Sequence, residues 1–186
     1  MRSTGYTSLV AELARRLSPS RVAHSLRVAE AAREIARSAG LDPEKAYLAG
    51  LLHDIAKELP PEELAALAPP ENEVERAHPL VLHGRAGREL ARELGVTDPE
   101  VLEAIEGHVV GVPAGSALGM AVYLADLAEP GRGFNQDLLE RALAGDLEGA
   151  YREALRRKME YLRQRGIPLH PRTLKLAEEL GVAPTD

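Results

Sequence analysis

Cysteine is absent from this chain of 186 residues. Disulfides, thiolate zinc sites and thiol catalysis are thereby excluded, and any transition metal must be held by His, Asp and Glu. Aromatic residues make up 3% of the sequence, and no stretch alternates convincingly between apolar and polar, so strands are not expected. No apolar run approaches the roughly 18 residues that a membrane-spanning helix requires. The first residues lack a signal peptide's basic start, apolar centre and small-residue cleavage site, which predicts a cytoplasmic protein with no membrane partner. Basic blocks are missing as well. Arg15–Arg16 and Arg156-Arg157-Lys158 read as solvated helix faces, and with a net charge of −6 the chain makes a poor partner for nucleic acid. A small anionic substrate stays open, because a metal site supplies positive charge locally.

What is present is helical. Ala, Leu, Glu and Arg dominate, and an apolar share of 45% suffices for one sizeable core. A single all-α domain over residues 1–186 is expected, with its core at about 18–132 and C-terminal helices at about 136–181 packed on it. Ser18-Pro19, Asp42-Pro43 and Asp98-Pro99 each combine a capping residue with a first-turn proline, and so open helices. The predicted helices cover residues 7–17, 18–38, 42–59, 79–94, 98–108, 116–129, 136–144, 146–165 and 171–180, with short pieces between 61 and 78.

The helix at Ala46–Leu59, AYLAGLLHDIAKEL, carries the pair His53–Asp54 in its middle. An ionised carboxylate in such surroundings costs several kcal/mol or more unless a partner compensates it. A metal ion, a salt bridge or a solvated helix edge would each serve. His24 shares an apolar face with Val28, Ala31 and Ile35, and is either a core histidine satisfied by a backbone carbonyl or a ligand. Asp126 is the one carboxylate in ALGMAVYLADLA, and it needs a cation: a metal, or a base such as Arg132. His83 lies in LHGRAGREL and His108 in IEGHVVG, both flanked by glycine. Together these six residues are too many ligands for one tetrahedral site and suit two metals bridged by a carboxylate. Lys57, Arg27 and Arg132 follow the ligands at short spacing and are candidate contacts for phosphate, or else surface cations. His78 and His170 each precede a proline and read as structural.

The order His24, His53–Asp54, His83, His108, Asp126 resembles that of the HD-domain metal-dependent phosphohydrolases. Within that superfamily the chain is most similar to the YqeK family of symmetrical diadenosine tetraphosphate hydrolases. The matching stretches are RVAHSLRVAE at 21–30, LAGLLHDIAKEL at 48–59, HPLVLHGRAG at 78–87, AIEGHVVG at 104–111 and YLADLAEPGR at 123–132. The tail at 161–180 is similar too. Val109 and Val110 stand where the family usually carries threonines, and Asn135-Gln136-Asp137 replaces its Pro-Gly-Val.

The resemblance implies an HD-domain helical bundle with a buried two-metal site. His24, His53, Asp54 and Asp126 would hold one metal, and Asp54 would bridge to a second held by His83 and His108. Iron is the implied native metal, with manganese or other divalent ions as substitutes. The implied reaction is attack of a metal-bound hydroxide, positioned by Asp54, on a central phosphate of diadenosine tetraphosphate, giving two ADP. Gly84, Val109 and Gly111 would let the nucleotide approach. Two other readings are hydrolysis of a different nucleotide phosphate or phosphodiester, and a nucleotide-sensing helical domain without turnover. A homodimer is compatible with the family, although the sequence marks no interface.

Overall fold

The computed structural model describes residues 3–182, and among these there are helices and no strands. The helices are α1 (Ser3–Arg16), α2 (Pro19–Ser38), α3 (Pro43–Leu52), α4 (Pro61–Leu67), α5 (Glu73–Ala77), α6 (His83–Glu93), α7 (Pro99–Gly107), α8 (Ala117–Ala128), α9 (Gln136–Leu143), α10 (Leu147–Gln164) and α11 (Pro171–Glu179). Short 3₁₀ turns at Pro79–Leu82 and Pro130–Arg132 precede α6 and α9. Proline occupies the first turn of α2, α3, α4, α7 and α11, where its missing N–H costs nothing. Asp42 and Asp98 cap α3 and α7 with their carboxylates, as expected. Ser18 does not cap α2 through its side chain. Its hydroxyl and amide both donate to Glu58, at 2.6 and 2.8 Å.

Helix α8 is the central rod, with nine of its twelve residues buried, and α2, α3, α7 and α10 pack around it. Small residues let α2 and α3 lie unusually close. A Cβ added at Gly50 would stand 2.9 Å from the Ala29 Cα, so the two backbones touch there. The α10 and α11 helices hold the loop after α7. Tyr151 Oη donates to the Val112 carbonyl at 2.7 Å and accepts from its amide at 2.8 Å. Thr173 Oγ1 donates to the Val110 carbonyl at 2.8 Å.

One expected helix is cut short. Instead of running to Leu59, α3 ends at Leu52, and residues 53–58 form consecutive turns. His53 Nδ1 donates to the Gly50 carbonyl at 2.6 Å, which takes up the region of an acceptor that a continuing helix would offer to the Asp54 amide. The chain tightens into bonds from Ile55, Lys57 and Leu59 amides to carbonyls three residues back. Likewise the helix expected from Pro79 is split, a 3₁₀ turn ending where His83 begins α6.

Candidate metal centre

Three histidines are oriented by one device. His53, His83 and His108 each follow the end of a helical segment and donate from Nδ1 to a carbonyl three residues earlier. The acceptors are Gly50 (2.6 Å), Leu80 (2.6 Å) and Ile105 (2.7 Å). A neutral ring bound in this way carries its proton on Nδ1 and leaves the Nε2 lone pair free. All three Nε2 atoms point into one buried space beside Asp54. His24 enters from α2 with a different partner. Its Nδ1 lies 3.2 Å from Glu129 Oε1, and its Nε2 lies 3.1 Å from Asp126 Oδ1.

The carboxylate of Asp54 divides the space in two. Oδ2 faces His53 Nε2 at 3.3 Å and His24 Nε2 at 3.7 Å, while Asp126 Oδ1 stands 3.4 Å from His53 Nε2. Oδ1 faces His83 Nε2 at 3.4 Å and His108 Nε2 at 3.2 Å, and those two nitrogens are 3.0 Å apart. Ligand atoms of His24, His53, Asp54 and Asp126 therefore form one group, those of Asp54, His83 and His108 a second, each within 4.8 Å.

Such an arrangement asks for cations. Lone pairs and carboxylate oxygens face one another at contact distance, and His53 Nε2 is buried without a hydrogen-bond partner. Burial lowers the His53 pKa, but Asp54 and Asp126 outweigh it and push it up to about 10, so the carboxylates draw a proton onto the ring. Burial takes His83 the other way, down to about 4, and keeps it neutral. Burial also opposes ionisation of Asp54 and Asp126, yet the histidines hold both well below the usual carboxylate range. A divalent metal would take the place of the proton on His53 and find imidazole nitrogens and ionised carboxylates in two adjoining sets, so the residues fit metal binding.

A cavity of about 490 Å³ opens onto the two sets. Lys57 and Arg132 line it, as does Val109. Arg132 also pairs with Asp126, its Nη2 standing 2.9 Å from Oδ1, so the ion pair that the sequence offered as an alternative to a metal is present beside the histidines. Three expected contacts lie elsewhere. Arg27 is bound to Glu129 at 2.9 Å and lines an apolar groove against Pro130 and Leu139 instead. Gly84 serves packing, since a Cβ there would overlap the Glu106 carbonyl oxygen. Gly111 takes φ +108°, and a Cβ on it would meet Tyr151 Oη at 3.1 Å and Leu176 Cδ1 at 3.2 Å, so it seats the loop against α10 and α11.

Other residues were missed. Arg21 lines the cavity and donates to Asp54 Oδ2 at 3.0 Å. Arg157 and Lys158, read from sequence as part of a solvated face, line it too. Glu129 is fully buried, accepting from Arg27 and from the Gly131 amide while it orients His24. Burial raises the Glu129 pKa, but Arg27, His24 and the amide outweigh it and hold the carboxyl below its ordinary value. His170 is structural, as expected, accepting at Nδ1 from the Arg172 amide at the start of α11.

Comparison with known proteins agrees with this geometry. The chain is 33% identical to the symmetrical bis(5'-nucleosyl)-tetraphosphatase of Bacillus subtilis over 164 residues, covering 84% of this chain and 87% of the relative. It is 31% identical to the enzyme of the same name from Halalkalibacterium halodurans over 169 residues, covering 88% and 90%. The crystal structure of a predicted HD superfamily hydrolase involved in NAD metabolism from Clostridium acetobutylicum superposes with a TM-score of 0.88. It is 34% identical and covers 94% of this chain and 96% of that one. The family model of the HD domain matches residues 21–181, a span that contains all six histidine and aspartate residues of the centre, and the chain belongs to the HD domain family.

Proposed function

We propose that this protein hydrolyses diadenosine tetraphosphate symmetrically to two ADP, using two divalent metals. The observation that carries the reading is the pairing of the two ligand sets with unpaired cations at their edge. Among the described residues, Lys57 and Lys158 form no ion pair, although both line the cavity of a chain whose net charge is −6. Cations at a cavity wall raise the local concentration of an anion and neutralise charge that develops on it. Relatives that match this chain over most of their length carry the name of symmetrical tetraphosphatases.

His24, His53, Asp54 and Asp126 would hold one ion, with Asp54 shared with His83 and His108 at the other. Bound there, the ions would activate water and neutralise charge at phosphorus. Iron is the native metal of this proposal, with manganese able to replace it. The chain's own residues do the rest. Asp54 would set the relation of the two sites, since its Oδ2 faces His53 and His24 and its Oδ1 faces His83 and His108. Arg21 fixes the Oδ2 side of that carboxylate, and Arg132 does the same for Asp126. Lys57 stands beside the sites, where burial lowers its pKa against the pull of Asp54 and Asp126. It would neutralise the polyphosphate as a P–O bond of the bridge between the second and third phosphates is cut. Water's oxygen joins one central phosphorus, and the bridging oxygen leaves with the other ADP.

Product analysis tests this. Purified protein supplied with iron or manganese should convert diadenosine tetraphosphate to ADP alone, with about two metals per chain by elemental analysis. Formation of ATP plus AMP, or an intact substrate beside a fully metallated protein, refutes the reading. Faster turnover of another nucleotide in a substrate panel would move the assignment to that substrate.

A further inference from the structure

We infer that Phe134 and Tyr161 form a stacking rim for nucleobases at the mouth of the cavity, holding a base by its faces and scarcely reading its edges. The inference rests on the nucleotide reading above. The chain has one Phe and five Tyr. Phe134 and one of the tyrosines, Tyr161, are 55% and 48% exposed, and both line the cavity that contains Asp54 and His108. Rings left in water at the wall of a site rich in cations match the demands of a nucleotide, whose base stacks while its phosphates pair with charge.

Neither ring is left loose. Phe134 sits between two residues in the left-handed region, Gly133 at φ +74° and Asn135 at φ +61°. Asn135 is the one non-glycine with positive φ among the described residues, and such a conformation persists where its surroundings over-determine it. Here its Oδ1 accepts from Arg157 Nη1 at 3.0 Å, and its Nδ2 donates to the Leu127 carbonyl at 3.4 Å. Gln136 Nε2 donates to the Phe134 carbonyl itself, at 3.1 Å. Arg157 in turn grips Asp137, at 3.0 and 2.5 Å. Asn135 and Asp137 thus fix the Phe134 loop to α10 through Arg157, and Gln136 ties it to itself and to the end of α8. On α10, the Arg165 guanidinium lies over the Tyr161 ring, 4.6 Å from its centroid.

Edge readout has few neutral parts here. Asn135 is the one carboxamide in the cavity wall, and both ends of its amide are already engaged. The cations there suit phosphate. Recognition by stacking tolerates any base, because each has a π-face, and favours the larger purines.

Calorimetric titration of metal-loaded protein with ADP, GDP, UDP and inorganic pyrophosphate separates base from phosphate. Both rings are exposed, so their replacement leaves the fold intact. Phe134→Ala and Tyr161→Ala should each weaken ADP and GDP by about 5- to 150-fold and leave pyrophosphate within about twofold. Tyr161→Phe should bind ADP as the parent does, and ADP and GDP should bind within about threefold of each other, ahead of UDP. An alanine variant that keeps its ADP affinity, or loses pyrophosphate in equal measure, overturns the rim. A preference of more than about tenfold between ADP and GDP overturns recognition by faces alone. Binding is read without turnover. Protein that needs both rings for ADP yet leaves diadenosine tetraphosphate uncut upholds the rim and refutes the reaction, whereas cleavage with an unchanged KM in both alanine variants does the reverse.

Discussion

Glu129 illustrates how a single side chain sets up the centre without belonging to either ligand set. Its buried carboxylate receives His24 Nδ1, and that contact fixes which ring nitrogen faces Asp126. The other three histidines use backbone carbonyls for this purpose, so His24 alone can be loosened by mutation. Glu129→Gln should weaken metal binding about 10- to 100-fold, read by competition with a chelator. A variant that holds metal like the parent would show that the contact is incidental. Asp54→Asn keeps the shape but removes the charge that both sets share. It should lower bound metal at both sites together and reduce turnover more than about 100-fold, and retention of one full site would contradict the shared role. The six residues were legible because each interrupts an apolar or glycine-flanked stretch. Their helpers were not. Arg27 and Arg21 lie three residues to either side of His24, and spacing places both on its side of the helix. Only the neighbours packed against α2 decide that Arg21 meets Asp54 and Arg27 meets Glu129.

At the scale of elements, the helices were readable from proline, capping aspartate and apolar period, and the misreadings fall where a histidine takes over a backbone acceptor. Leu, Ala, Lys and Glu dominate AYLAGLLHDIAKEL and favour continuation, and the weaker helix formers Gly50, His53 and Asp54 do not by themselves predict a stop at Leu52. Nδ1 of His53 supplies the reason, and the resulting turns bring Asp54 and Lys57 to one cavity. Glycine in the helices was misread in a similar way. Gly84 suggested room for a ligand, whereas it permits α6 to pass against the Glu106 carbonyl of α7. Gly84→Ala should therefore act on stability. Forcing a methyl against a backbone oxygen costs about 1–3 kcal/mol, measurable as a lower urea midpoint with an unaltered slope. Because α6 and α7 carry His83 and lead into His108, the same variant should also loosen the second ligand set. A Gly84→Ala protein of parental stability but poor substrate affinity would restore the earlier role for this residue.

Across the whole molecule, distant segments are tied by another buried carboxylate, one that does not line the cavity. Glu75 on α5 accepts from the Glu71 amide at 2.7 Å, from Arg85 of α6 at 3.2 Å and from His170, at the start of α11, at 3.0 Å. Arg85 also pairs with the Glu71 side chain, so Glu71, Arg85 and His170 are the charged or titratable groups facing Glu75. Burial raises its pKa, but the Glu71 amide, His170 and Arg85 outweigh burial and leave it below the ordinary 4.5. A carboxyl with a depressed folded pKa stabilises the fold above its unfolded value and loses that contribution as pH falls through the folded one. The contribution of this carboxylate should accordingly hold from neutrality down to about pH 4.5 and decline below it, as it becomes protonated. Glu75→Gln mimics the protonated state at every pH. It should cost about 1–3 kcal/mol at pH 7, where charged hydrogen bonds to Arg85 and His170 are lost. The gap between variant and parent should then narrow as the parent is acidified, since the two come to resemble each other at this position. Urea midpoints of both proteins between pH 7 and pH 3 test the sign, and a gap that stays constant or widens on acidification would mean that Glu75 is not the group whose protonation weakens the fold.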